Sequence, residues 1–169
     1  MSETPEPIRP EASENLEGLL VDLMMQKTTL QIEKGISDEE MEVVYAHAHG
    51  LFQAGKYDEA EEVFKFLGLH DPIEPKYFLA LGGCYEERKQ FEQAAKYYMQ
   101  SFLLNSEDPQ GGVRAAICLR ALGKIVEAEG ALHLAIEQSS TDPKYDLVKT
   151  QAAALRDSMA ESSAEATAP

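Results

Sequence analysis

Apolar residues in the middle of the chain recur at intervals of three and four, which is the spacing of an amphipathic helix. These helical segments come in pairs, and the pattern of each pair returns after 34 residues. Five columns keep this register over three copies: Ala48/Gly82/Ala116, Leu51/Tyr85/Leu119, Tyr57/Phe91/Ile125, Ala60/Ala94/Ala128 and Phe64/Tyr98/Leu132. The middle of the chain therefore consists of three copies of one helical hairpin.

A period of 34 residues with two helices in each copy is that of the tetratricopeptide repeat. The repeats are predicted within residues 37–142, at about 41–74, 75–108 and 109–142, with helices near 38–54, 57–70, 75–88, 91–104, 110–122 and 125–138. Helical repeats bury their apolar faces by stacking, which leaves a curved array whose concave side is free to hold another chain. The sequence thus predicts an all-α fold whose function is binding.

The segments before and after the repeats differ from them in composition and in predicted structure. Residues 1–12 are rich in proline and residues 159–169 are small and polar, so both ends are predicted to be disordered. Residues 143–158 are predicted to form a helix that caps the array. Its apolar face consists of Tyr145, Val148, Ala152 and Leu155.

Residues 13–36 are predicted to form an N-terminal helix and a connector. This helix carries an apolar stripe of Leu16, Leu19, Leu20, Leu23 and Met24. Because such a short helix does not persist alone in water, the stripe needs cover, and self-association into a homodimer is the simplest arrangement.

The charge balance narrows the class of partner. Fifteen basic and thirty acidic residues give a net charge of −15, which disfavours binding to nucleic acid or to anionic membranes. No apolar run approaches the roughly 20 residues of a membrane-spanning helix. Residues 1–10 are acidic and proline-rich, unlike a secretory signal, so we expect a cytoplasmic protein that does not insert into membranes.

No set of residues has the spacing of a catalytic, metal or cofactor site. His47 and His49 stand two positions apart on a helix and so point in nearly opposite directions. Cys84 and Cys118 lie outside any CxxC motif and are expected to be buried free thiols. Nucleophile and phosphate-loop motifs are missing from the sequence, so we expect neither enzymatic activity nor a metal or cofactor.

The first helix of each repeat is expected to line the concave side. Its free positions follow i, i+4, i+7 and are Tyr45, His49 and Phe52, then Leu79, Gly83 and Glu86, then Val113, Ile117 and Arg120. The predicted peptide-binding groove is formed by Tyr45, His49, Phe52, Lys76, Leu79, Gly83, Val113 and Ile117. Apolar and aromatic side chains on an open groove indicate pockets for the side chains of a peptide. The alternative is that a terminal helix of the chain covers them.

The chain resembles the class II chaperones of type III secretion, which serve translocator proteins. The resemblance covers roughly residues 13–158 and is carried by Thr29-Leu30, Gly35-Ile36, Tyr45-Ala46-His47-Ala48, the run from Gly55 to Glu61, Phe64-Lys65-Phe66-Leu67, Asp71, Leu81-Gly82, Lys89-Gln90-Phe91 and Ala115-Ala116-Ile117-Cys118. The chain departs from the family pattern at His49, Gly68 and Gly111-Gly112. The two adjacent glycines stand where the family tends to have bulky residues, so either a wider groove or a different partner segment is expected there.

This resemblance implies a bacterial cytosolic chaperone that holds hydrophobic, pore-forming translocators before secretion. It implies that the groove binds an extended Pro-x-Leu-x-x-Pro-like segment, with Tyr45, His49 and Phe52 as pocket walls in repeat one and Leu79 in repeat two. It implies no use of a nucleotide.

The alternative function is a general tetratricopeptide-repeat scaffold or a regulatory or assembly adaptor. One such scaffold grips an acidic C-terminus through a two-carboxylate clamp of Lys, Asn and Arg side chains. The clamp positions here are Tyr45, His49, Ala80, Gln110 and Arg114. Only the arginine fits that chemistry, so the clamp is disfavoured.

Deleting residues 1–30 is expected to reduce the number of subunits per particle, because the deletion removes the apolar stripe. Analytical ultracentrifugation measures this number directly. An unchanged value would mean that the stripe is covered by the repeats of its own chain.

Overall fold

The computed structural model describes residues 36–139 and 141–166 of the 169-residue chain. These residues form α-helices and one 3₁₀ turn, Pro143–Tyr145. The helices are α1 (Asp38–Gln53), α2 (Tyr57–His70), α3 (Pro75–Glu87), α4 (Phe91–Leu104), α5 (Gln110–Ala121), α6 (Ile125–Gln138) and α7 (Asp146–Ala166). The predicted all-α repeat fold is confirmed. The predicted N-terminal helix, its apolar stripe and the ordered or disordered state of residues 1–35 lie outside the described residues.

Short local signals explain where the helices begin. At α1 the Ser37 hydroxyl accepts a hydrogen bond from the Glu40 backbone N–H at 3.2 Å, and the Glu40 carboxylate accepts one from the Ser37 N–H at 2.8 Å. This reciprocal pair is the capping box that the sequence predicted. At α3 a proline occupies the first helical position, where its missing N–H costs little.

The turn inside each hairpin requires a left-handed backbone at one residue. Gly55 has φ of 76° and Gly123 has φ of 74°, and the equivalent position of the second repeat is Lys89 with φ of 60°. Glycine adopts this conformation without the steric cost that a Cβ atom brings. Repeat two therefore keeps the turn geometry with a residue for which it is strained.

Each helix packs against the next one along the chain, from α1 to α7, and α1 also contacts α3. The residues of three of the five repeat columns are buried at these crossings: Ala48, Ala60, Phe64, Gly82, Ala94, Tyr98, Ala116, Ala128 and Leu132. Their burial explains the 34-residue register, because every copy must present the same small and large side chains to its neighbours.

Glycines at the α4–α5 and α5–α6 crossings allow very close helix contact. A Cβ atom on Gly111 would lie 2.6 Å from the carbonyl oxygen of Tyr98, and one on Gly112 would lie 2.8 Å from the Cβ of Ala135. Both glycines are buried between helices. The two glycines therefore bring neighbouring helices together, whereas the wider groove beside them stays a prediction.

The last helix differs from the prediction at both ends. Residues 143–145 form a 3₁₀ turn, and α7 continues to Ala166, whereas the sequence predicted a helix over 143–158 and a disordered tail. Alanine and glutamate are frequent at the end of the chain and favour helix, and neither glycine nor proline occurs in residues 144–168. Ala152 and Met159 of α7 are buried against the third repeat.

A network of charged and tyrosine side chains joins α2 to α3. The buried Glu61 carboxylate accepts hydrogen bonds from Tyr85 at 2.6 Å and forms ion pairs with Lys65 at 2.5 Å and with Arg88. Arg88 also pairs with Asp58. Burial alone would raise the pKa of Glu61, but the hydrogen bonds from Lys65, Tyr85 and Arg88 outweigh it and lower this pKa to about 2. The network ties the first repeat to the second.

Glu61→Gln is expected to lower the free energy of unfolding at neutral pH by about 1–3 kcal/mol, because it leaves Arg88 without its buried partner. Since the folded pKa lies near 2 and the ordinary value is 4.5, the contribution of Glu61 is full above about pH 4.5 and is lost as the pH falls toward 2. Urea denaturation at several pH values measures it. Glu62→Gln is the control, because that side chain is 77% exposed; equal losses in both variants would contradict the assignment.

Gly111→Ala is expected to destabilise the fold by about 1–3 kcal/mol, because its Cβ would press on the α4 backbone, which moves only together with the whole helix. The matched control is Gly130→Ala in α6, where a Cβ meets nothing within 4 Å and alanine is the better helix former. Thermal denaturation of the two variants gives the comparison. A Gly111→Ala protein as stable as the control would refute the close-packing role.

Candidate functional site

A cavity of about 590 Å³ opens on the concave side of the array. All eight residues of the predicted groove line it: Tyr45, His49 and Phe52 from α1, Lys76, Leu79 and Gly83 from α3, and Val113 and Ile117 from α5. Glu86 and Arg120, which were also expected to face the groove, are not among the lining residues. The three first helices of the repeats thus form one continuous wall.

Rings from α1 form the aromatic part of this wall. The centroids of Tyr45 and His49 are 6.2 Å apart, and those of His49 and Phe52 are 6.5 Å apart. Tyr45 also packs against Phe64, with centroids 5.7 Å apart, and Phe52 meets Tyr57 edge-on at 5.3 Å. Because the core holds Tyr45 and Phe52 from behind, the rings are positioned before any partner binds.

Gly83 stands beside the ring of Phe52. A Cβ atom at this position would lie 3.3 Å from Cε2 of Phe52, closer than most such contacts. The absence of a side chain therefore lets the aromatic ring of the first repeat lie flat against α3. In this column of the repeat His49 and Ile117 stand in the first and third copies, so only the second repeat leaves this space to a ring from another helix.

Cationic side chains lie at two points of the wall. The Lys76 ammonium lies 5.0 Å from the Tyr45 ring centroid and pairs with Glu42. Burial alone would lower the pKa of Lys76, but the Glu42 carboxylate outweighs it and raises this pKa. Arg114 lies 3.3 Å from the Glu86 carboxylate. Both cations are thus neutralised locally, which leaves aromatic and aliphatic contacts as the main means of recognition.

The Glu86 carboxylate also accepts a hydrogen bond from the Tyr98 hydroxyl at 2.5 Å. Burial, followed by this hydrogen bond, raises the pKa of Tyr98. Tyr98 belongs to α4 and reaches the cavity from behind the wall, where its ring fills the space left by Gly82. Glu86 therefore supports the floor of the groove, although it does not line it.

The last helix closes one end of the cavity. Val148 and Gln151 of α7 are among the lining residues, and α7 packs on α5 and α6. A terminal helix therefore covers part of the groove, as the alternative predicted, but only beside the third repeat. The α1 wall remains open to solvent in the described part of the chain, since His49 is exposed and Tyr45 and Phe52 are half-exposed.

Sequence reasoning did not assign several lining residues to the groove, although a signal for two of them existed. Gln110 and Arg114 line the cavity and stand 34 positions after Lys76 and Ala80, which line it too. The repeat register leads from the predicted Lys76 to Gln110, whereas Ala80 and Arg114 were named only as positions of the carboxylate clamp. Phe64 and Tyr98 lie on second helices and still line the cavity. Tyr98 does so beside Gly82, which leaves room for its ring.

The cysteines are buried, and the described part of the chain has no group of side chains that could bind a metal ion. Burial raises the pKa of Cys84 to about 11 and that of Cys118 to about 12, so both stay protonated and inert, as expected of buried free thiols. Within residues 36–139 and 141–166, the His, Cys, Asp and Glu side chains form no group of three that could hold a metal ion. No helix of this part of the chain is long and apolar enough to span a bilayer.

The family model of the tetratricopeptide repeat matches residues 41–68, the first hairpin of the array. Low calcium response locus protein H of Yersinia pseudotuberculosis is 30% identical over 127 residues, which cover 75% of this chain and 76% of that protein. Chaperone protein SicA of Salmonella typhimurium is 28% identical over 131 residues, which cover 78% and 79% of the two chains.

Solved structures of type III secretion chaperones also match this chain. The Yersinia enterocolitica type III secretion chaperone SycD, in complex with a peptide of the translocator YopD, matches with a TM-score of 0.70 and 29% identity over 76% of this chain and 98% of that one. PcrH in complex with the chaperone binding region of PopD matches with a TM-score of 0.72 and 29% identity, over 76% and 97% of the chains. The protein belongs to the class II translocator chaperones of type III secretion.

Proposed function

We propose that the protein is a cytoplasmic bacterial chaperone that binds hydrophobic translocator proteins through its concave groove and keeps them soluble and competent for secretion. The observation that carries this proposal is that residues from three repeats converge on one apolar, aromatic cavity of about 590 Å³. The relatives SycD and PcrH support it, since their structures hold peptides of the translocators YopD and PopD.

The shape and chemistry of the wall suit an extended segment of a Pro-x-Leu-x-x-Pro type. Tyr45, Phe52 and Leu79 offer partly exposed apolar surface along the groove. Burying one leucine side chain contributes roughly 1.5–3 kcal/mol, and a micromolar complex needs about 8 kcal/mol. Two or three filled pockets therefore supply much of the affinity, although ordering the peptide offsets part of it.

A two-carboxylate clamp is disfavoured by the same cavity. Four of its five positions are Tyr45, His49, Ala80 and Gln110, and they line the wall without a positive charge. Arg114, the one that fits, already faces Glu86. The two lining cations, Lys76 and Arg114, each already pair with a carboxylate, so an acidic C-terminus would meet no unpaired Lys or Arg among the residues that line this cavity.

Binding without catalysis agrees with the chemistry of the described residues. The cysteines are buried and protonated, and the relatives are named as chaperones.

The predicted homodimer remains part of the proposal. It would form through Leu16, Leu19, Leu20, Leu23 and Met24. The relative SycD has been solved as an alternative dimer.

Leu79→Ala and Tyr45→Ala are each expected to weaken binding of a Pro-x-Leu-x-x-Pro-type translocator peptide by about 1–2 kcal/mol, which is about 5- to 30-fold in Kd, because each truncates a wall of the groove. Isothermal titration calorimetry measures the affinity. Each variant is first shown to melt like the parent protein.

The matched control is Leu103→Ala on α4, whose side chain is 75% exposed and does not line the cavity. Glu92→Ala, also on α4, is a second control of different chemistry. Both are expected to leave the affinity unchanged. If the two groove variants bind as tightly as the controls, the peptide binds on another surface of the array and the proposed site is wrong.

A further inference from the structure

The segment that leads into α7 begins in the same way as the first helices of repeats two and three. A carboxylate precedes a proline at Glu74-Pro75, Asp108-Pro109 and Asp142-Pro143, and these pairs stand 34 residues apart. Each carboxylate accepts a hydrogen bond from the backbone N–H two residues later, at 3.4, 2.9 and 3.0 Å. Residues 143–166 therefore continue the repeat register as the first helix of a fourth repeat.

The buried face and the groove face of the first helices also continue into α7. Ala152 stands 34 positions after Cys118, and both side chains are completely buried. Gln151 lines the cavity, as Ile117 does 34 positions earlier. Helix α7 thus presents the same face to the groove as α5 does.

The register identifies one more residue on the groove face of α7. Tyr45, Leu79 and Val113 line the cavity and stand in one column of the repeat. The next member of this column is Leu147. Residues four apart lie on the same face of a helix, so Leu147 neighbours the lining residue Gln151. Leu147 is nevertheless 68% exposed and does not line the cavity, so the described part of the chain leaves this apolar side chain uncovered.

The charges near Leu147 are balanced. Asp146, the preceding residue, pairs with Lys149 at 3.4 Å. Lys144 pairs with Asp142 at 3.2 Å. Because each of these cations has a carboxylate beside it, apolar contact is the interaction that Leu147 offers to a partner.

The spacing of the first helices fits the spacing of the proposed peptide motif. Helix α5 contacts α7 as α1 contacts α3, and helices in contact have axes about 8–10 Å apart. An extended chain advances about 3.3 Å per residue, so about three residues span one such step. The motif Pro-x-Leu-x-x-Pro places its apolar residues two and three positions apart, which suits α1, α3 and α5 in turn. A fourth apolar residue about three positions beyond the motif would reach α7.

We propose that Leu147 extends the peptide site onto α7 and binds a fourth apolar side chain of the translocator segment, about three residues beyond the Pro-x-Leu-x-x-Pro-type motif. This inference rests on the proposed function, because the additional contact belongs to the same bound segment. Helix α7 is then part of the binding surface as well as the cap of the array. Segments that carry an apolar residue at this position bind more tightly than segments that carry a polar one.

The test compares three fluorescein-labelled synthetic peptides of equal length on the full chain. The base probe is Pro-Ser-Leu-Ser-Ser-Pro with a short run of serines at each end. Each of the two leucine probes replaces one flanking serine with leucine, at the third position before the first proline or at the third position after the last. Fluorescence anisotropy should show that one leucine probe binds the parent protein about five- to tenfold more tightly than the base probe, because its leucine is partly buried against Leu147.

Two variants of Leu147 assign this gain in affinity to the side chain. Leu147→Ser should reduce the gain to less than about twofold and leave the affinity for the base probe unchanged. Leu147→Met keeps an apolar side chain and should retain most of the gain. The matched control is Leu103→Ser on α4, because that leucine is 75% exposed and does not line the cavity. It should retain the full gain, and each variant is first shown to melt like the parent protein.

Three results would overturn the inference. The first is that neither leucine probe binds the parent protein more tightly than the base probe. The second is that Leu147→Ser shows the same gain as the parent. The third is a Leu147→Ser protein with fewer subunits per particle in analytical ultracentrifugation and an unchanged gain, which would assign Leu147 to a contact with a second copy of the chain.

Failure of the inference and failure of the proposed function give different results. If only the inference is wrong, the base probe still binds the groove and Leu79→Ala still weakens it, although leucine probes show no gain that depends on Leu147. If the proposed function is wrong, either none of the three probes binds or Leu79→Ala leaves the affinity of all three unchanged. The inference then falls with the proposed function.

Discussion

The close approach of neighbouring helices is the constraint on which the rest of this structure depends. Alanine or glycine stands at the crossing points of every repeat, and Ala48, Ala60, Ala94, Ala116 and Ala128 are completely buried. Without these small residues the helices would stand farther apart and the large residues Phe64 and Tyr98 would leave voids behind the groove. The curved wall and its cavity follow from this spacing.

The same constraint explains how a small array presents so much apolar surface without collapsing. Both helices of each repeat contribute buried residues to the core, and Tyr45 and Phe52 of α1 are held from behind by Phe64 and Tyr57. Lys76 and Arg114 stand among these apolar groups, each next to a carboxylate. Charge is therefore present in the groove but balanced, and shape and apolar contact set the selectivity.

The charged network that stabilises the first two repeats lies apart from the residues that line the cavity. The Glu61 network lies where α2 meets α3, outside the residues that line the cavity, and it fixes the angle between the first two repeats. Because α1 and α3 carry most of the groove wall, a change in this angle would alter the distance between Tyr45 and Leu79. A polar network outside the cavity lining thus helps to set the shape of the cavity.

The repeat period determined most of the fold from the sequence alone. A 34-residue register constrains every helix in turn, so α2, α4 and α6 begin and end at the predicted residues, and seven of the eight predicted groove positions, all but Lys76, follow from i, i+4, i+7 on the first helices. Local signals such as the Ser37 capping box placed the start of α1 for the same reason, because they depend only on neighbours in the chain.

Tertiary structure alone decided the features that depend on distances between helices. From the sequence, a wider groove or a different partner segment is expected at Gly111 and Gly112, and the structure places both residues at helix crossings. A glycine has no side chain, so the neighbouring sequence does not show which helix it will contact. The partners of Glu61, the part that α7 takes in the cavity and the extension of α7 to Ala166 likewise depend on how the elements pack. The register of a repeat fixes which residues are equivalent, whereas packing decides what each of them touches.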